Sequence, residues 1–258
     1  MFTLVAGLGR MALDFFAHVG GLFLLLLQVI KSLPHLFRSF RLTVEQMLQM
    51  GVNSLPLIGL VSVFTGSVAA WQAAYQFESF VPMRFLGTAV SKAITIELAP
   101  VLTALVVAGR VGASIAAELG TMRVTEQIDA LEVMAINPVR YLVLPRVVSG
   151  VIMLPVLVIF ANVVAILGAL VVSVYMVHIS GEMFLNGVKR YFYLSDVLAG
   201  LTKAAVFGFI ISFIGCYQGF VTTGGAAGVG KSTTRAVVIS AVMILISDFL
   251  IATVLFRL

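Results

Sequence analysis

The chain has 258 residues, 61% of them hydrophobic and 10% charged, against roughly 45–50% and about 25% in soluble domains. With a mean hydropathy of +1.14, these values exclude soluble enzymes, nucleic-acid modules and disordered chains. The net charge of +5 does not point to nucleic acid, because Lys and Arg gather in the cytoplasmic loops of membrane proteins. The single cysteine, Cys216, lies in an apolar run and excludes a disulfide framework or a Cys-based metal site.

Residues 1–45 carry a short apolar stretch, 19–30, flanked by Asp14, His18, Gln28 and Lys31. No small-residue cleavage site follows it, so a signal peptide does not fit. A helix lying in the membrane interface fits better, with Arg10, Lys31, Arg38 and Arg41 reaching lipid phosphates. A sixth span is the alternative.

Five later stretches reach the roughly 20 apolar residues a spanning helix needs: 53–75, 85–109, 147–177, 200–221 and 236–256. The first ends in Trp71 and Tyr75, aromatics suited to a headgroup boundary. The second carries Lys92 and Glu97, with Pro100 placed to break it. The third has no charge and admits a tilt or a break near Pro155. The fourth holds Lys203 toward its outer end, and Gly215 and Gly219 form a small-xxx-small pair for close helix approach. The fifth carries Asp248. The alternation of a membrane β-barrel is absent. The expected fold is therefore an all-α integral membrane protein with an N-terminal interfacial helix and five transmembrane helices. It forms a single domain over 1–258, with the interfacial helix in 1–45 and the spanning region in 46–258.

A cytoplasmic N-terminus places ten of the 16 basic residues inside: Arg10, Lys31, Arg38, Arg41, Arg110, Arg123, Arg140, Arg146, Lys231 and Arg235. Arg84, Lys92, Lys189, Arg190, Lys203 and Arg257 fall outside, a moderate positive-inside bias. Segment 178–198 is then the large outside segment.

The inside loop between the second and third spans is the most charged stretch. Val124, Ile128, Leu131 and Ala135 recur at helical spacing over 124–136, with Glu126, Asp129 and Glu132 on another face. Thr121 or Thr125 is placed to cap this helix, and Asn137-Pro138 to end it. Spacing alone leaves open whether the helix merely joins two spans or docks a partner.

Gly225-Ala226-Ala227-Gly228-Val229-Gly230-Lys231-Ser232 matches the phosphate-loop pattern letter for letter. That motif needs a strand feeding the loop and a helix leaving it. Here a membrane span precedes it, so a Gly-rich cytoplasmic turn is expected, with Lys231 and Arg235 near lipid phosphate or a partner.

Glu97 and Asp248 lie near the middle of their spans. Such a charge costs at least about 2.5–3.5 kcal/mol on insertion scales and needs a partner or water. A structural pair, a proton relay and a hydrophilic spot in a substrate cavity remain open.

The run from Glu97-Leu98-Ala99-Pro100 through Ala108-Gly109-Arg110, Ala117-Glu118-Leu119-Gly120-Thr121-Met122, Thr125-Glu126-Gln127 and Asn137-Pro138 closely resembles the signature of the MlaE/YrbE family. Its members are the permease subunits of ABC transporters that work with MCE-domain proteins on lipids. Gly228-Val229-Gly230 and Thr233-Thr234-Arg235-Ala236-Val237-Val238 resemble the loop before the family's last helix.

The resemblance implies a homodimer with an interfacial helix and five spans per subunit, in a bacterial inner membrane. The loop helix, with Glu118, Arg123, Glu126, Asp129 and Glu132, would couple to a cytoplasmic ABC ATPase. That ATPase would bind ATP, so this chain needs no cofactor or metal and is not itself an enzyme. Further implied partners are a periplasmic MCE-domain protein and a small cytoplasmic STAS-type subunit. Lipid would sit in a cavity at the dimer interface, near Glu97, Lys92, Trp71, Tyr75, Lys203 and Asp248. Some members place an arginine just before the glutamate, where this chain has Ile96, so Lys92 or another base would replace it.

The expected function is thus movement of phospholipid or a similar amphipath between the inner membrane and a periplasmic carrier. The alternatives are an ion- or proton-coupled secondary transporter using Glu97 and Asp248, and a membrane-bound NTPase using Lys231.

Overall fold

The computed structural model describes residues 2–77 and 81–255, without the side chains of residues 2–12, 14, 15, 37 and 38. Arg10 and Arg38, expected at lipid phosphates, and the end of the fifth expected span with Arg257 lie outside the described residues. Among the described residues every regular element is helical. Six helical stretches are long and apolar enough to cross a membrane: Phe16–Leu36, Phe40–Phe77, Met83–Val124, Val139–Tyr175, Leu194–Phe220 and Gly225–Leu255.

Helix α1 (Phe2–Ser32) meets the bundle through one stripe, Leu22, Leu25, Leu26, Val29 and Ser32. Phe23, Leu24, Leu27 and Ile30 on its other sides are exposed. By length and composition its stretch from Phe16 on is also apolar enough for a sixth crossing. His18 and Tyr217 tie it to the bundle, with the Tyr217 hydroxyl donating to the His18 carbonyl at 3.1 Å.

Helix α2 (Phe40–Gly51) continues through one 3-10 turn, Val52–Ser54, into α3 (Leu55–Phe77). The buried positions of α3 are Ile58, Ser62, Gly66, Ala70 and Ala74, a strict i, i+4 seam of mostly small residues. Small seams allow the close helix approach that replaces hydrophobic driving force in lipid. A Cβ on Gly66 would lie 1.8 Å from the Ala165 carbonyl oxygen.

The second expected span is one long helix, α4 (Met83–Val124). It contains π-turns at Ile94–Leu98 and Ala108–Gly112. Pro100 does not break it. The Ala99 N–H reaches back five residues to the Ile94 carbonyl, and this widened turn absorbs the bond and the space that a proline denies the helix. The same device precedes Pro145. There the π-turn Val139–Val143 opens α6 (Val139–Tyr175), and the Leu144 N–H reaches the Val139 carbonyl. Helix α6 also runs unbroken past Pro155.

Between α4 and α6 lies α5 (Gln127–Val133), shorter than the helix expected over 124–136. The chain breaks at Thr125, and Glu126 takes a left-handed φ of 60°. The apolar pattern from Val124 to Ala135 is therefore shared between the end of α4 and a separate helix of about two turns. The threonines do not cap α5: Thr125 Oγ1 donates to the Thr121 carbonyl at 2.8 Å. Asn137 caps α6 instead, its Oδ1 accepting from the Val139 and Arg140 N–H groups.

The outside segment contains a helix that sequence reading missed, α7 (Gly181–Arg190). Its signals were present: Ser180 caps it by accepting from the Met183 N–H at 3.2 Å. Glu182 sits in its first turn and Lys189 and Arg190 in its last, matching the helix dipole. Phe184 and Gly187 are buried against the start of α4.

Helices α8 (Leu194–Phe220) and α9 (Gly225–Leu255) complete the bundle. Gly215 and Gly219 do bring α8 onto α4, with a Cβ at Gly219 falling 2.5 Å from Leu119 Cβ. The glycine run 225–232 is helix, not the expected turn, which lies at 221–224. Its structural reason is a second small seam: Gly228, Ser232, Ala236, Ser240 and Ile244 are the buried positions of α9.

Candidate functional site

The i, i+4 seam of α9 continues one step past Ile244 to Asp248. This register delivers its carboxylate to the inside of the bundle, with only 14% of the side chain exposed. Lys203, on α8, is fully buried. Glu97 sits inside the first π-turn of α4. Lys203 Nζ donates to Glu97 Oε2 at 2.5 Å and lies 2.8 Å from Asp248 Oδ1. Two carboxylates on two helices thus share one cation on a third.

Lys203 pairs with both acids because an uncompensated ammonium has no other way to stay charged away from water. With all three ionised the cluster carries one surplus negative charge. That surplus faces outward: the Glu97 side chain is 46% exposed while Lys203 is sealed behind it. Such a group accepts hydrogen bonds from an ammonium or hydroxyl at the bundle surface, and its partners hold it in place.

Lys92 does not join this cluster. Its ammonium bridges to Asp196 at 3.3 Å and lies 4.7 Å over the Tyr193 ring, closing the outer ends of α4 and α8. Trp71 and Tyr75 are exposed on α3, on the side away from its buried seam. Among the described residues no hydrogen bond joins either to the cluster.

The expected coupling residues divide in two. Glu118 accepts from Arg146 Nη2 at 2.7 Å, and Arg146, nearly fully buried, also donates to the Leu142 carbonyl. This strap ties the end of α4 to the start of α6, beneath α5. Arg123 pairs with Asp129 within the loop. Glu126 and Glu132 are exposed beside Val133, Met134 and Ile136. Of these five residues, only Glu126 and Glu132 offer a partner's surface carboxylates that join no ion pair among the described residues. Lys231 is exposed on the second turn of α9, and no strand feeds the helix. The phosphate-loop geometry is therefore not built.

Cavities also lie outside the cluster. A cleft of about 540 Å³ separates α7 from the start of α4, edged by Arg84, Glu182 and Arg190. A second, of about 240 Å³, lies between α2 and α4, beside Arg110.

The sequence model of the MlaE permease family matches residues 43–254. The chain belongs to the MlaE permease family. A "probable ABC transporter permease protein" of Rickettsia conorii is 42% identical over 100% of this chain and 99% of its own length. A protein of the same description from Synechocystis is 46% identical over 84% of this chain and 82% of its own length. The chloroplast protein TRIGALACTOSYLDIACYLGLYCEROL 1 of Arabidopsis thaliana is 38% identical over 90% of this chain and 65% of its own length. This MlaE-family protein is accordingly a multi-pass membrane permease of an ABC transporter, a role that implies an ATPase partner.

Proposed function

We propose that this permease moves glycerophospholipid, or a similar amphipath, between the bacterial inner membrane and a periplasmic MCE-domain carrier. It works as a homodimer with its N-terminus in the cytoplasm. ATP is hydrolysed in a separate subunit, and a small STAS-type subunit accompanies that ATPase. The observation that carries the reading is the Lys203 cluster: a carboxylate, Glu97, held half-open on an apolar surface. A cargo with a polar head and apolar tails matches both features. The Arabidopsis relative, whose name contains that of a glycerolipid, supports the cargo class. The basic residues Arg84 and Arg190 at the outer cleft suit an acidic periplasmic partner.

In this mechanism α1 lies at the interface, and ATPase closure presses on α5. The Glu118–Arg146 strap passes that displacement to α4 and α6, narrowing the cavity proposed between the two subunits near Glu97. The ABC permease names of the relatives support ATP drive over a gradient acting on Glu97 and Asp248.

The test is lipid transfer by the purified complex from proteoliposomes to carrier protein. Glu97→Ala is expected to lower transfer at least about tenfold while the complex still assembles. Normal transfer by Glu97→Ala would remove the cluster from the cargo path. Uptake by the isolated chain without nucleotide would favour the gradient-driven alternative.

A further inference from the structure

One ridge of α4 lines two neighbouring spaces. Leu98, Leu102 and Val106 edge a narrow apolar crevice against α3. One turn further along, Arg110, Ser114 and Glu118 edge the 240 Å³ cavity against α2. These six positions repeat every four residues, and Arg110, the first of the second set, sits inside the second π-turn, Ala108–Gly112.

The cavity is polar where the crevice is not. Gln46, Gln49 and Asn53 face it from the α2 side. Arg110 Nη1 donates to Ser54 Oγ at 2.5 Å, and Ser54 in turn donates to the Met50 carbonyl. Among the described residues no carboxylate lies within ion-pair distance of Arg110. The one acid on the cavity wall, Glu118, is already held by Arg146. A half-buried guanidinium with unspent donors, ringed by three side-chain amides, is complementary to a phosphate. The volume lies just below the roughly 300–1,000 Å³ of ordinary ligand pockets, the size of a headgroup and not of a whole lipid. The apolar crevice edged by the same ridge of α4 is where an acyl chain would run.

We propose that this cavity is a second lipid site, holding the phosphate of a glycerophospholipid with Arg110 as its anion ligand. It stands about 20 Å along α4 from Glu97, thirteen residues at 1.5 Å each, in the leaflet at the α5 end of the bundle. The proposal rests on the lipid reading above, but it concerns a different site and a different group of the lipid.

The test is native mass spectrometry of the full complex extracted from nanodiscs of phosphatidylethanolamine and phosphatidylglycerol. Wild type and Glu97→Gln are expected to retain this lipid. Arg110→Gln is expected to retain roughly tenfold less, with Arg110→Lys restoring part of it. Gln49→Leu, at the exposed rim, reports the same loss if Arg110→Gln does not assemble. Equal retention in Arg110→Gln, Gln49→Leu and wild type would overturn the proposal. So would displacement of the lipid by inorganic phosphate, which would make this a free-anion site. A disulfide between two chains through Gln49→Cys, excluding lipid, would assign the cavity to a second copy and equally overturn it. Background is low because the native Cys216 is buried. If Glu97→Ala leaves transfer normal while Arg110→Gln still strips the lipid, the cargo path falls and this site stands.

Discussion

Lys203 holds two acids at once, so its loss and the loss of either acid are not equivalent. Lys203→Met leaves Glu97 and Asp248 without their shared cation, inside the bundle. Removing one partner of a buried pair costs about 3–5 kcal/mol, and here two like charges remain. Glu97→Gln instead leaves a neutral Lys203–Asp248 pair with one hydrogen bond still available. The expected outcome is a large loss of thermal stability in detergent for Lys203→Met and a small one for Glu97→Gln. Equal losses would show that the cation does not bind the cluster together. The three residues were legible in the sequence as costly intramembrane charges. Their meeting was not, because Glu97 and Lys203 are 106 positions apart and only the packed bundle brings them together. The partner of Lys92 was hidden for the same reason: Asp196 and Tyr193 lie beyond the whole of α6 and α7.

Among the elements, the spans were readable because lipid imposes about 20 apolar residues on each crossing. Their internal turns were not. A π-turn leaves no mark in hydropathy, although a proline two residues after it, as at Pro100 and Pro145, was a usable sign. The loop helix was misjudged because apolar spacing records a period and not a chain break; the left-handed Glu126 splits it. Helix α7 was overlooked because its packing depends on glycine. A Cβ on Gly87 would fall 2.1 Å from the Phe184 carbonyl oxygen. Gly87→Val is expected to lift α7 from α4 at a cost of about 1–3 kcal/mol, read as faster hydrogen exchange over residues 181–190. Unchanged exchange there would show that the contact is not close-packed in solution. On the opposite end, Glu126→Lys with Glu132→Lys leaves every ion pair of the loop intact. These substitutions are expected to abolish co-purification of the ATPase with little change in melting temperature. Retained ATPase would place the docking surface elsewhere than on α5.

At the scale of the whole molecule, every regular element among the described residues is a helix. The run Gly225–Ser232 carries the letters of a phosphate loop, yet it opens a helix in which Gly228 serves packing. Lys231→Ala is therefore expected to leave ATP hydrolysis by the complete transporter within about twofold, since substitutions at exposed positions away from such contacts are nearly neutral. The isolated chain is expected to hydrolyse none. Loss of hydrolysis on Lys231→Ala would return nucleotide binding to this chain. The family signature was legible because it is a long run of particular residues, and the match over 43–254 agrees with it. The polar cavity beside Arg110 was not legible, since it depends on which turns of α2 and α4 come face to face.

The small seam of α9 has a mechanical consequence. From Gly228, pressed against the Thr223 carbonyl, to Asp248 the helix spans twenty residues, about 30 Å. It carries Asp248 near one end of a stiff rod whose foot stands in the turn after α8. A tilt of about 5° around that foot moves the carboxylate by roughly 2.6 Å, by the same geometry. That displacement is comparable to the 2.8 Å reach of its ion pair with Lys203. A lever of this length parts the pair while every helix keeps its hydrogen bonds.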